Sequence, residues 1–356
     1  MSSTANKTIV GVTVGDPGGI GIETIIKVFH DPRILDSICP VIYGHADAIR
    51  THRKEGKLPE MKYSNISSID DLKINSVNVL NVWEDKKNII LGEPNKENGL
   101  LSFKALEAAV ADLAATKIDV LVTAPINKDS IQSDDFKFPG HTEYLANMSN
   151  VEDQLMFLVS DRMRIGVVTG HVPLKDVSSE LTKEKIVGKL DIMHESLQKD
   201  FATATPTIAV LGLNPHAGDN GLLGSEEKDV ILPAIREAQA KGMLVYGPFG
   251  ADGFFGTSQY SKFDGVLAMY HDQGLAPFKA LAFEDGVNFT AGLPIVRTSP
   301  DHGTAYDLVG KNLASESSMR NAIFTACDVH KNRQNYKDIT ANPLQKQSKP
   351  KQKIRG

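Results

Sequence analysis

Three histidines stand where chemistry could converge. His171, His216 and His271 each follow an apolar run, RIGVVTG, TIAVLGLNP and FDGVLAMY respectively. In an open parallel sheet, ligands gather beyond the carboxyl ends of the strands. Three such strands in one sheet, pointing the same way, would therefore bring three imidazoles together. Neutral imidazoles hold Zn²⁺ or a similar divalent ion and leave a coordination position for a substrate oxygen. Taken singly, each histidine is better explained as a hydrogen-bonded loop residue. The repeated placement favours a site.

The stretch after His271 adds groups suited to an anion. Lys279, Asn288 and Arg297 are spaced nine residues apart in HDQGLAPFKALAFEDGVNFTAGLPIVRTSPDHGTAYD. A cation, an amide and a guanidinium on a loop-rich, Gly-punctuated segment suit a small phosphate or carboxylate, which Arg can grip with two parallel hydrogen bonds. The segment PGHTEYLA contributes His141 and Thr142 at an expected helix start, where free N–H groups also favour an anion. The Gly-rich start VGDPGGIGIE is neither dinucleotide fingerprint nor P-loop: Thr24 stands where G-x-G-x-x-G needs its last Gly, and the Lys of a P-loop is missing. It still has the pattern of a strand, a tight turn and a helix start, with glycines serving either backbone shape or a ligand.

The elements that must position these residues alternate along the chain. β-Branched runs predict strands over 8–15, 40–44, 77–82, 119–123, 164–169, 207–213 and 265–270. Between Gly99 and Thr116, Phe103, Leu106, Val110 and Leu113 recur at helical spacing, and Thr182 opens a second such pattern through Ile186, Leu190, Met193 and Leu197. Strands alternating with helices predict an α/β fold around a mostly parallel sheet. A length of 356 residues predicts two domains, and with no Pro- or Ser-rich linker between halves they would be woven together by chain crossings.

Composition narrows the functional classes. The chain is 41% hydrophobic with a formal charge of −5, which argues against a dedicated nucleic-acid binder. That charge is uneven: residues 331–356 carry +7 and the rest −12. The basic, polar end is expected to be a flexible tail that catalysis does not need. Cys39 and Cys327 cannot build a disulfide framework and have no zinc-site spacing. With no signal peptide and no apolar run long enough for a membrane span, the expectation is a cytoplasmic protein without a membrane partner.

The motifs GDPGGIG, LVTAPINK, FPGHTEYLA, TGHVPLKDV, LNPHAG, GPFGADGFF, MYHDQGLAPFK and TSPDHGTAYDLVGK, in this order, resemble those of the 4-hydroxythreonine-4-phosphate dehydrogenases of pyridoxal phosphate biosynthesis. The resemblance covers residues 8–330. It implies oxidation of 4-phosphooxy-L-threonine at the 3-hydroxyl, with NAD or NADP, and decarboxylation to 3-amino-2-oxopropyl phosphate. By matching position, His171, His216 and His271 are implied as ligands of one Zn, Mg or Co ion, and His141, Thr142, Lys279, Asn288 and Arg297 as substrate contacts. His302, Gly303 and Asp307 match a cofactor-lining segment. Asp252, Asp272 and Lys279 are the catalytic candidates, either carboxylate serving as proton acceptor or as partner of a ligand histidine.

The implied fold resembles isocitrate and isopropylmalate dehydrogenases: two α/β domains around a cleft, residues 1–138 plus 298–330 forming the first and 139–297 the second, with 331–356 as the tail. A homodimer sharing the metal site is implied as well. Ile22 and Gly253 depart from the family's usual Pro and Thr, and relatives act on D-erythronate or D-threonate 4-phosphate, which are the alternative substrates. A metal-dependent phosphohydrolase and a non-catalytic phosphate-binding module fit the residues less well.

Overall fold

Runs of Val and Ile form strands because β-branched side chains pack well on a pleated surface. The computed structural model describes residues 7–84 and 89–342. In chain order the strands are β1 (Thr8–Thr13), β2 (Ile38–Gly44), β3 (Tyr63–Ile66), β4 (Val77–Asn81), β5 (Val120–Thr123), β6 (Leu155–Val159), β7 (Arg164–Thr169), β8 (Thr207–Leu211), β9 (Leu244–Phe249), β10 (Gly265–Tyr270), β11 (Val287–Ala291) and β12 (Arg297–Pro300). All lie in one sheet, in the spatial order β3-β4-β2-β1-β5-β12-β11-β6-β7-β10-β8-β9.

The sheet is parallel except in its middle, where β12–β11, β11–β6 and β6–β7 pair antiparallel. Three reversals leave the β1 side and the β7 side running in opposite directions. β1 to β5 and β12 lie on one side of the β12–β11 ladder and β6 to β11 on the other, so the chain leaves the first half after β5 and returns as β12. The larger apolar cluster runs through both halves, from Val10 and Val122 to Leu190 and Val210. Central strands are buried on both faces, as continuous Val/Ile runs require.

The seven strands read from the sequence all form, within two residues at either end. The helix Lys96–Ala114 buries Phe103, Leu106, Val110 and Leu113, and Asn95 caps it by accepting from the N–H groups of Glu97 and Asn98. Thr182 likewise caps the helix Lys183–Lys199.

Two expectations need correction. The stretch carrying Lys279, Asn288 and Arg297 is not loop-rich: Lys279 sits on the helix His271–Ala282, Asn288 on β11 and Arg297 on β12. The strand Arg-Thr-Ser-Pro has no apolar residue but its closing Pro300, so no hydrophobic pattern could reveal it. The tail does not begin at 331, because the helix Ser317–Ala341 continues past that point. Arg333, 2.6 Å from buried Asp200, also donates to the carbonyls of Pro294 and Ile295, while Asn332 donates to the carbonyl of Asp200. These contacts supply the ordering that composition alone did not suggest. Residues 343–356 lie outside the described part.

Candidate functional site

β7 and β8 both pair in parallel with β10, so their carboxyl ends lie side by side. Two buried side chains tie the ends together. Thr169 Oγ1 donates to the carbonyl of Met269 at 2.8 Å. Gln273 accepts from the N–H of Met269 at 2.7 Å and donates to the carbonyl of Gly212 at 2.6 Å. Beyond these ends stand His171, His271 and His216, in that spatial order.

The rings of His171 and His271 are 5.8 Å apart between centroids. They line one cavity with Tyr270 and Asp272, while His216 and Asp252 line an adjoining cavity that shares those two residues. Among the described residues, no three His, Cys, Asp or Glu side chains of a single chain close on one point. Two imidazoles thus meet, and the third stands across Tyr270 and Asp272 from them.

The chemistry of the pair suits a divalent ion. Burial, with Lys128 and the neighbouring His271 adding to it, holds the pKa of His171 below its ordinary value, favouring the neutral, ligating form. His271 Nδ1 lies 2.7 Å from Asp272 Oδ1, which orients the ring and leaves Nε2 free, the usual carboxylate–histidine support of a metal ligand.

In the second group of residues, Arg297 and His141 are more deeply buried. Arg297, the first residue of β12, is 3% exposed. Its Nε and Nη2 donate to Thr123 Oγ1 at 3.1 and 2.7 Å, and Nη1 reaches Thr290 Oγ1 at 3.4 Å. Burial lowers its pKa to about 10, so it remains cationic at neutral pH. Its described hydrogen bonds all go to hydroxyls, leaving a buried charge without a counter-charge in contact, a costly arrangement that an anion would relieve. His141 is buried at the start of the helix His141–Met148, with Thr142 next to it, and its Nε2 has no hydrogen-bond partner. Burial first, then the charges of Arg297 and Lys128, push its pKa well below the usual histidine value. Asn288 Oδ1 is also buried and unpartnered. Unsatisfied buried polar atoms are uncommon and call for an explanation, such as a ligand. Lys279 Nζ is already engaged, 3.3 Å from Asp301 Oδ1.

Shared electrostatics join the two groups. Lys128 acts on both His141 and His171, Glu143 on both His171 and Arg297, and His271 on Asp301. The sequence model of the family described as pyridoxal phosphate biosynthetic protein PdxA matches residues 36–326. The chain belongs to this family. A relative named 4-hydroxythreonine-4-phosphate dehydrogenase, from Bacteroides thetaiotaomicron, is 50% identical over 343 residues, covering 96% of this chain and 94% of its own. A relative from Oceanobacillus iheyensis carrying the D-threonate 4-phosphate dehydrogenase name is 36% identical over 328 residues, 91% of this chain and 98% of its own. The 1.25 Å crystal structure of 4-hydroxythreonine-4-phosphate dehydrogenase from Klebsiella pneumoniae has a TM-score of 0.80 at 33% identity, covering 91% of this chain and all of that one.

The Gly-rich start of the chain is joined to the TSPDHGTAYD segment by contacts invisible in the sequence. Asp16 Oδ2 accepts from the Tyr306 hydroxyl at 2.7 Å, Oδ1 accepts from the N–H of Gly18 at 2.8 Å, and the N–H of Ile20 donates to the carbonyl of Thr304 at 3.0 Å. Gly15 has φ +65°, and a Cβ there would fall 2.3 Å from the carbonyl oxygen of Pro125, so this glycine serves backbone shape. In the facing segment, His302 Nδ1 is 3.0 Å from the carbonyl of Gly303 while its Nε2 is buried and unpartnered. A Cβ on Gly303 would meet open space, and Asp307 is exposed.

Sequence reasoning did not single out Lys128, Glu143, Thr123, Thr290, Asp16 or Asp301 as site residues. Lys128 had a usable signal, a cation soon after the carboxyl end of β5 inside a family motif. The threonines had none: their part is to seat Arg297.

Proposed function

We propose that the chain catalyses the NAD(P)-dependent, divalent-metal-dependent oxidation of 4-phosphooxy-L-threonine at its 3-hydroxyl. Decarboxylation then gives 3-amino-2-oxopropyl phosphate and CO₂, as a step of pyridoxine 5′-phosphate formation. The observation that carries this reading is Arg297, a buried cation seated by hydroxyls and sharing the neighbour Glu143 with a histidine pair suited to a metal. The names of the similar proteins support the substrate.

Arg297 and the helix start at His141 and Thr142 would receive the phosphate, a charge-assisted contact in a desolvated setting. Lys279 would join by exchanging its contact with Asp301 for the incoming anion, and Asn288 Oδ1 would accept from a substrate donor. Holding the phosphate fixes the hydroxyl-bearing carbon, and such positioning contributes several kcal/mol to rate. His171 and His271, with His216, would hold the divalent ion, Zn, Mg or Co. Their arrangement as a pair plus a separate third suits a site completed between two copies of the chain, hence a homodimer. When bound, the ion supplies Lewis acidity at the substrate oxygen and the nicotinamide accepts the hydride. The hydroxyl proton needs an acceptor: Asp272 is occupied in orienting His271, so Asp252, on the wall of the His216 cavity, is the freer base. His302, Gly303 and Asp307 would line the nicotinamide cofactor.

Cys39 and Cys327 are buried and unpaired, which supports a reducing, cytoplasmic setting. Among the described residues, no helix is long and apolar enough to cross a membrane.

The second reading is a sister dehydrogenase for D-threonate or D-erythronate 4-phosphate, favoured by the name of the Oceanobacillus relative. The test is NADH formation from each of the three phosphates, before and after chelation, with NADP in parallel. The proposal expects chelation-sensitive turnover, fastest on 4-phosphooxy-L-threonine. Preference for a sugar-acid phosphate would favour the second reading, and phosphate release without NADH would refute both.

A further inference from the structure

After β8 the chain enters a backbone conformation that L-residues disfavour. His216, Ala217, Gly218, Asp219 and Asn220 all have positive φ, between +42° and +79°. Only one of the five is glycine. A turn of this kind persists when its surroundings restrain it, and here the restraint is a buried carboxylate outside the metal and anion residues. Glu227 is 4% exposed. Its Oε1 accepts from the backbone N–H of Asn214 at 2.7 Å and its Oε2 from Asn214 Nδ2 at 3.0 Å. Glu226 Oε2 accepts from the same Nδ2 at 2.8 Å, and Ser178 Oγ donates to Glu226 Oε1 at 2.6 Å.

Glu227 also packs against the middle of the turn. A Cβ on Gly218 would come 2.5 Å from its Oε2, so the glycine is required by both its φ of +79° and this close approach. The carboxylate therefore grips the turn at Asn214 and again at Gly218, and His216 lies between the two grips. The Asn214 carbonyl in turn accepts from the N–H of Ala217 at 3.1 Å. Glu227 opens a single π turn, Glu227–Ile231, an irregularity frequent near functional sites.

We propose that Glu227 is the positioning residue for His216: it clasps the left-handed turn and so fixes the direction in which that imidazole meets the divalent ion. The inference rests on the reading of His216 as a metal ligand. Glu227 touches neither substrate nor metal and acts through the turn.

The test is Co²⁺ binding to the full-length, metal-stripped protein, followed by calorimetry and by the visible absorption of the bound ion. Thermal melts report folding, and inorganic phosphate binding serves as a control for the anion side. Glu227→Ala is expected to weaken Co²⁺ binding by about tenfold or more, as loss of an outer support of a ligand does, with phosphate binding unchanged. Glu227→Gln keeps an acceptor for Asn214 and should restore most of the affinity. The double variant of His216→Ala with Glu227→Ala should bind no more weakly than His216→Ala alone. Should Glu227→Ala not fold, Gly218→Ala, which pushes the turn off the carboxylate, should reproduce the loss. If His216→Ala weakens binding while the folded Glu227→Ala or Gly218→Ala variant binds Co²⁺ like the wild type, the clasp is refuted. If His216→Ala itself leaves binding unchanged, the metal reading fails, and the clasp with it.

Discussion

Arg297 and the histidine pair share the charged neighbour Glu143 but are held in different ways. The guanidinium lies on a strand in the middle of the sheet, 3% exposed, with Thr123 on β5 and Thr290 on β11 fixing its three nitrogens. His171 stands on a loop and His271 opens a helix, each just beyond a strand end, with the His271 side chain 36% exposed and oriented by one contact to an exposed Asp272. The groups around Arg297 come together within one chain and leave a buried charge without a counter-charge in contact. The metal side brings two imidazoles together in one chain and leaves the third apart.

Changing Arg297 should have the largest effect and separate stability from function. In Arg297→Met, kcat/KM for the phosphorylated substrate should fall by roughly a thousandfold or more, the scale of losing a buried charge-assisted contact. Denaturant unfolding should find the variant no less stable than the wild type, because a buried charge lacking a counter-charge has been removed. Loss of activity accompanied by a large loss of stability would mean that Arg297 is a structural residue.

Arg333 contacts Asp200, Pro294 and Ile295, away from both groups, and checks that the effects there are local. Arg333→Ala should lower stability by about 2–3 kcal/mol, since it leaves Asp200 buried without its cation. Substrate preference should not move. On the metal side, Asp272→Asn should weaken divalent-ion affinity by about tenfold to a hundredfold while sparing inorganic phosphate binding. Equal losses on both sides would erase the distinction between them.

The smallest expected effect is a pH dependence. Burial, aided by Arg297 and Lys128, holds the folded-state pKa of His141 well below the unfolded value of about 6.5. The unfolded chain therefore takes up this proton first as pH falls, and His141 contributes a loss of stability below about pH 6.5, at most about 1.4 kcal/mol per pH unit. Unfolding measured at pH 6.5 and 5.5 should reveal a shallower decline in His141→Asn than in the wild type. An identical decline would mean that His141 is not held neutral.

The same contrast governs what could be read from the sequence. The placement of the three histidines was legible because they follow Val- and Ile-rich strands, so RIGVVTG, TIAVLGLNP and FDGVLAMY locate His171, His216 and His271 beyond strand ends without any contact being known. The anion side was legible only as residue types. Arg297 begins a strand with no apolar residue but its closing Pro300, and the hydroxyls that seat it come from positions 174 residues earlier and 7 residues earlier. No local pattern reports such a convergence. The clasp at Glu227 was hidden for a related reason: a left-handed turn of mostly non-glycine residues has no sequence signature, and its restraint arrives from beyond it. The folded continuation of the last helix past residue 331 depends on single contacts such as Arg333 with Asp200, which outweigh a polar composition.

The contrast turns on whether the buried guanidinium of Arg297 recognises the substrate's phosphate. Its most direct test is kcat/KM for NADH formation from 4-phosphooxy-L-threonine and from unphosphorylated 4-hydroxy-L-threonine, in the wild type and in Arg297→Met. The account predicts a preference of at least roughly a thousandfold for the phosphorylated compound in the wild type, nearly abolished in the variant. A variant that keeps the full preference, or a wild type that has none, would contradict it.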